Sequence, residues 1–117
     1  MTYRVGLVGT GGIARAHGNA CQQIAEADLA AIYDVSEEQL ARFGEEYGVP
    51  EMARYTDLDQ MLNEADLDII SICTWGCFHA DVGIQVCNSR KVKAVLCEKP
   101  FTQTAAEAEA FAAAGRQ

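Results

Sequence analysis

The stretch VGLVGTGGIARAH, residues 5–17, drives an apolar run into a cluster of glycines and straight on into a helical pattern. Tyr3–Val8 reads as a strand that ends at Gly9. Ile13, His17, Ala20, Cys21 and Ile24 then recur at helical spacing. Between them lie Gly9, Thr10, Gly11, Gly12, Ile13 and Ala14, and Gly9, Gly11 and Ala14 fit G-x-G-x-x-G/A. Gly9 permits a tight turn out of the strand. Gly11 has no side chain to hold a pyrophosphate away from the backbone. Ala14 is small enough for helix and sheet to pack closely. The start of the helix adds free amides and a partial positive charge, with Gly12 and Ile13 the expected donors to phosphate. The competing reading is a tight turn and nothing more.

A second apolar run, residues 29–33, stops at Asp34 and Val35. Asp34 follows Ala14 by about 20 residues, the spacing at which a carboxylate grips the adenosine ribose of a dinucleotide. It would accept from both ribose hydroxyls and repel a 2′-phosphate, which favours NAD while leaving NADP possible. An ordinary helix-capping Asp is the alternative. Strand, glycine turn, helix and acid occur together here, so dinucleotide binding is preferred.

The rest of the chain keeps the same rhythm. Ser36 with Gln39 makes a capping box for a helix with Leu40, Phe43 and Tyr47 on its apolar face, ended by Gly48 and Pro50. Residues 52–55 are a weak strand candidate. Asp57 caps a short helix carrying Leu58, Met61 and Leu62. Residues 67–73, LDIISIC, form the near-continuous β-branched run of a strand buried on both faces. A helix is expected over 78–89, a strand over 92–97, and an Ala-rich helix opened by a Thr104–Glu107 capping box. Strands alternating with helices predict an α/β, three-layer Rossmann fold, a doubly wound parallel sheet with helices on both faces, filling residues 1–117 as one domain.

A net charge of −8 with nine Lys and Arg residues disfavours nucleic acid and anionic membranes as partners. No apolar run approaches the roughly 20 residues needed to cross a bilayer. The N-terminus enters a strand pattern directly, so no signal peptide is expected. The five cysteines, Cys21, Cys73, Cys77, Cys87 and Cys97, have no framework-like spacing and read as reduced, mostly buried thiols of a cytoplasmic protein. Cys73, Cys77 and His79 leave a zinc site one ligand short, so no metal is expected.

CEKPFTQT, residues 97–104, follows the last expected strand. Ligands of open α/β sheets bind beyond the carboxyl ends of the strands, so Glu98 and Lys99 should share an edge with the glycine loop. Lys99 could donate to a substrate oxygen or serve as a base, aimed by the turn that Pro100 fixes. A solvated Glu–Lys pair is the plain alternative.

In order, GLVGTGGIA, AIYDVS, SICTWGCFH and CEKP resemble the Gfo/Idh/MocA family of oxidoreductases, and the likeness covers nearly the whole chain. The resemblance implies a Rossmann domain that holds NAD or NADP for the oxidation or reduction of sugars, inositols and related carbonyl compounds. It implies that Lys99 lies near the nicotinamide and the reacting oxygen, with Glu98 helping to hold that end. Cys73 and Thr74 would line the cofactor's path, with His79 beginning the helix beside it. His79 is thereby a second catalytic candidate, although a helix-start role is the commoner one. Trp75 departs from the family's Thr-Pro-Asn; it could stack on a cofactor ring, while simple packing is the favoured reading. SRKVK replaces a usual Gly-Lys pair and should alter only a turn.

The family carries a second α/β domain that supplies most substrate contacts, and that domain is absent from this chain. The expectation is an isolated cofactor domain of a longer enzyme, inactive alone, with a small polyol or sugar as the substrate of the whole. If the fifth strand is a sheet edge, the domain should self-associate as a homo-oligomer or be marginally stable. A non-catalytic nucleotide-sensing domain and a purely structural α/β domain are the competing readings.

Overall fold

In the computed structural model, which describes residues 2–116, the apolar runs become five parallel strands in the order β3-β2-β1-β4-β5. They are β1 (Tyr3–Val8), β2 (Ala27–Tyr33), β3 (Arg54–Tyr55), β4 (Ile69–Ile72) and β5 (Ala94–Cys97). The helices are α1 (Ala14–Gln23), α2 (Glu37–Tyr47), α3 (Leu58–Glu64), α4 (His79–Ser89) and α5 (Ala105–Gly115). The doubly wound, three-layer Rossmann arrangement is the one the sequence rhythm predicts. Met1 and Gln117, the two ends of the expected 1–117 domain, lie outside the described residues.

Alternation along the central strands divides the core in two. Leu7, Ile32 and Cys73 face α1 and α2, where Ala14, Leu40 and Phe43 meet them. Val8, Ala31, Ile70 and Ile72 face the other way, against Leu58, Met61 and Leu62 of α3, Val86 of α4 and Phe111 of α5. Leu7, Ile32, Ile70 and Ile72 are fully buried, and each such side chain contributes about 1.5–3 kcal/mol. Phe111 lies directly over Gly83, where a Cβ would come within 2.0 Å of its ring, so that glycine sets how closely α4 and α5 pack.

The caps follow the expected residues. Thr104 and Glu107 form a complete capping box. Asp57 accepts from the Gln60 amide. Gly48 ends α2 in the left-handed region, at φ 70°. At α2 the box is half made. Ser36 accepts from the Gln39 amide at 3.3 Å, and its own amide is taken at 2.9 Å by Asp34.

Three expectations shift. The strands predicted over 67–73 and 92–97 shorten to Ile69–Ile72 and Ala94–Cys97. Asp68 breaks their beginnings: its side chain accepts from the Arg4 amide, and its carbonyl accepts from the Lys93 and Ala94 amides. Residues 52–55 become a single 3₁₀ turn, Glu51–Ala53, and the two-residue β3. The α1 stripe of Ile13, His17, Ala20, Cys21 and Ile24 does not form the helix's buried face. Ala14 and Gly18 do, because only small residues let α1 approach the sheet and Tyr47, and Ile13 and Ile24 stay half exposed. β5 is the sheet edge, and Leu96, 56 % exposed, shows an apolar side chain beside it.

Candidate cofactor site

The loop after β1 is shaped by one glycine and opened by two others. Gly9 has φ 98°, and a Cβ there would sit 2.9 Å from the Cys73 and Thr74 backbone. Only glycine therefore lets the end of β1 pass against the end of β4. At Gly11 and Gly12 a Cβ would meet nothing within 4 Å, so these two border open space. The Ala14, Arg15 and Ala16 amides are bonded to the Gly11, Gly12 and Ile13 carbonyls. That leaves the Gly11, Gly12 and Ile13 amides without an acceptor among the described residues, at the start of α1. A phosphate is the ligand such a helix start takes.

Asp34 closes the β2 side of the loop. Its Oδ2 accepts from the Thr10 amide at 2.9 Å and the Thr10 hydroxyl at 2.7 Å, and its Oδ1 accepts from the Ser36 amide at 2.9 Å. The carboxylate is thus fixed between the glycine loop and α2. A carboxylate has about four lone-pair positions, so roughly one remains for a sugar hydroxyl rather than the two of a symmetric ribose grip. Val35 beside it is largely exposed. Outside the loop lies a cleft of about 270 Å³ bordered by Arg15, Gln39, Arg42 and Phe43. Both arginines are already paired, Arg15 with Glu46 and Arg42 with Glu38.

The other end of the sheet edge is tied together by two histidines. His79, 1 % exposed, brings Nδ1 to 2.6 Å from the Pro100 carbonyl and Nε2 to 2.9 Å from the Thr74 carbonyl. Carbonyls only accept, so whichever ring nitrogen carries a proton donates to the carbonyl it faces. His17 Nε2 lies 2.6 Å from Glu98 Oε2. That hydrogen bond, with smaller help from the Lys99 amide and ammonium, holds the Glu98 carboxyl below the usual carboxylate range. Lys99 itself is exposed, and the Lys99–Pro100 peptide is cis. The Cys73 thiol is pushed up to about 12 by burial and then by Glu98. Thr74 Oγ1 is buried without a hydrogen-bond partner among the described residues, as a side chain awaiting a ligand would be.

Two expectations change here. Trp75 is 81 % exposed, so packing does not account for it; the β4 loop turns it outward ahead of the 3₁₀ turn Gly76–Phe78. The cysteines are not mostly buried. Cys73 is, Cys77 is exposed, and Cys21, Cys87 and Cys97 lie between, all of them unpaired. No three His, Cys, Asp or Glu side chains among the described residues come close enough to hold a metal ion. His17 was legible only as part of an apolar period; its one local signal is a polar ring on that stripe one turn after Ala14.

The family model described as an oxidoreductase family with an NAD-binding Rossmann fold matches residues 3–117. The chain belongs to the Gfo/Idh/MocA family. It is 31% identical over 122 residues to the inositol 2-dehydrogenase of Paracoccus denitrificans, covering 100% of this chain and 35% of that protein. It is 31% identical over 112 residues to the D-apiose dehydrogenase of Paraburkholderia graminis, covering 96% of this chain and 29% of that protein. Among solved structures, the WlbA dehydrogenase of Bordetella pertussis, in complex with NADH and UDP-GlcNAcA, superposes with a TM-score of 0.90 at 26% identity. That match covers 98% of this chain and 33% of WlbA. The Gfo/Idh/MocA chain described here therefore spans about a third of the length of the relatives it matches. It corresponds to their NAD-binding Rossmann fold. The open glycine loop, its unclaimed amides and the orphaned Thr74 hydroxyl fit that cofactor. No helix among the described residues is long and apolar enough to cross a membrane.

Proposed function

We propose that this chain is the cofactor-holding part of an NAD-dependent oxidoreductase acting on a CH–OH or carbonyl carbon of a sugar, inositol or related polyol. The observation that carries the reading is the shared edge: unclaimed amides at the start of α1, and Glu98 and Lys99 beyond the end of β5. NAD, when bound, supplies the hydride acceptor or donor. The Gly11, Gly12 and Ile13 amides take the diphosphate, and Ala14 keeps α1 close behind them. Asp34 orients the adenosine ribose and Val35 offers the adenine an apolar surface. Cys73, Thr74 and Trp75 border the other half of the dinucleotide. Lys99 donates to the substrate oxygen when a carbonyl is reduced and takes up the hydroxyl proton in the reverse direction. Glu98 and Pro100 are held on either side of it. His79 has both ring nitrogens committed to carbonyls, which supports a positioning role in place of a catalytic one.

Five unpaired thiols support a cytoplasmic setting. The open β5 edge supports homo-oligomerisation; Leu96→Lys should then lower the sedimentation coefficient, and an unchanged coefficient argues against it. The activity is tested by turnover of the longer polypeptide against a panel of polyols. Lys99→Ala should lower kcat and leave NAD affinity within about twofold. Equal loss of both would make Lys99 merely structural. The 117-residue chain alone should show no measurable turnover.

A further inference from the structure

Lys99 has a histidine on each side of it, one from each face of the sheet. The carbonyl of Pro100 is held by His79 at the start of α4, and the side chain of Glu98 by His17 in α1. The second contact is the more informative. It joins residues 81 apart in sequence, and the two side chains are only 12% and 27% exposed. An ionised carboxylate only accepts, so His17 must carry its proton on Nε2 and donate. Beyond the bond from the Glu98 amide to the Ile72 carbonyl, the chain leaves the sheet into an exposed turn. Among the described residues no strand pairs with β5 on its outer side to fix that turn.

The same helix opens at the diphosphate loop, one turn before His17. Asp34 lies on the β2 side of that loop, so a dinucleotide whose adenosine reaches Asp34 must send its nicotinamide half toward β4 and β5. We propose that His17 is a positioning residue of the cofactor site: its imidazole fastens Glu98, and with it the Lys99 turn, to the helix that receives the diphosphate. This assignment rests on the function proposed above. Glu98 feels the Lys99 ammonium and itself acts on the Cys73 and Cys97 thiols, both neutral at neutral pH, pushed up to about 12 and about 11.

The test compares NADH with ADP-ribose, which shares the adenosine diphosphate end and lacks the nicotinamide. His17→Ala in the full chain should weaken NADH binding about tenfold and leave ADP-ribose within about twofold. His17→Gln, whose amide can still donate to Glu98, should recover NADH binding to within about threefold. Nitrogen-15 spectra of the ligand-free chain at neutral pH should place a proton on His17 Nε2. If His17→Ala does not fold, the spectrum and His17→Gln decide. A ring protonated on Nδ1 alone, or a His17→Gln chain that folds yet binds NADH as poorly as ADP-ribose-only contacts allow, overturns the proposal. So does equal NADH affinity in wild type and His17→Ala, or equal loss of both ligands. A wild-type chain that ignores NADH instead removes the functional reading beneath it, and this assignment with it.

Discussion

Asp34 accepts two hydrogen bonds from a single residue, Thr10, one from its amide and one from its hydroxyl, through the same oxygen. The glycine loop and the end of β2 are thereby set as one unit before any ligand arrives. Asp34→Asn replaces one acceptor oxygen by a donor and breaks part of that unit. It should weaken NADH binding about tenfold and narrow the preference over NADPH, as read by calorimetry. Unchanged affinities for both would remove Asp34 from the site.

Two glycines of the same loop should fail in opposite ways. Gly9→Ala forces a Cβ against the β4 backbone at φ 98° and should cost about 2 kcal/mol or more in urea unfolding. Gly11→Ala meets open space and should change stability by less than about 1 kcal/mol, yet abolish NADH binding by filling the diphosphate's place. A Gly11→Ala chain that binds normally would show that the loop is a turn and no more.

Acid should weaken the fold through two carboxylates. Glu98 is held low chiefly by the His17 hydrogen bond, and Asp68 chiefly by the Arg4 amide and then by Lys93. A carboxyl whose folded pKa is depressed adds stability above its unfolded value, and that stability is lost as pH falls through the folded value. The loss should therefore begin below about pH 5, near the ordinary carboxylate range. Tm measured from neutral pH down to about pH 3 should fall more steeply for wild type than for Glu98→Gln or Asp68→Asn. Parallel curves would mean that neither bond stabilises the fold.

Thiol reactivity should follow burial. Burial holds the Cys73 and Cys97 thiols at about 12 and about 11, so neither forms thiolate at neutral pH, while Cys77 is exposed. Iodoacetamide with mass spectrometry should find Cys77 modified first and Cys73 only after unfolding. Early labelling of Cys73 would contradict the buried end of β4.

The fold was legible because apolar runs alternate with helical spacing, broken at Gly9 and Asp34, and because Thr104, Asp57 and Gly48 carry their caps locally. The loop and Asp34 were legible for the same reason, being a strand, a turn and an acid in fixed order. What escaped depends on partners far along the chain. Ala14 and Gly18 carry α1's contact because they are small, and an apolar period ranks them below Ile13 and Ile24. His17 meets Glu98 across 81 residues, and no local pattern encodes that distance. Trp75 stands outward just ahead of the 3₁₀ turn after β4, a placement that no local apolar pattern encodes.

The account stands most directly on titration of the chain with NADH, followed by calorimetry and by Trp75 fluorescence. It predicts saturable binding of one NADH per chain with a change in Trp75 emission. Absence of both heat and fluorescence change up to millimolar NADH, in a chain shown to be folded, would contradict it.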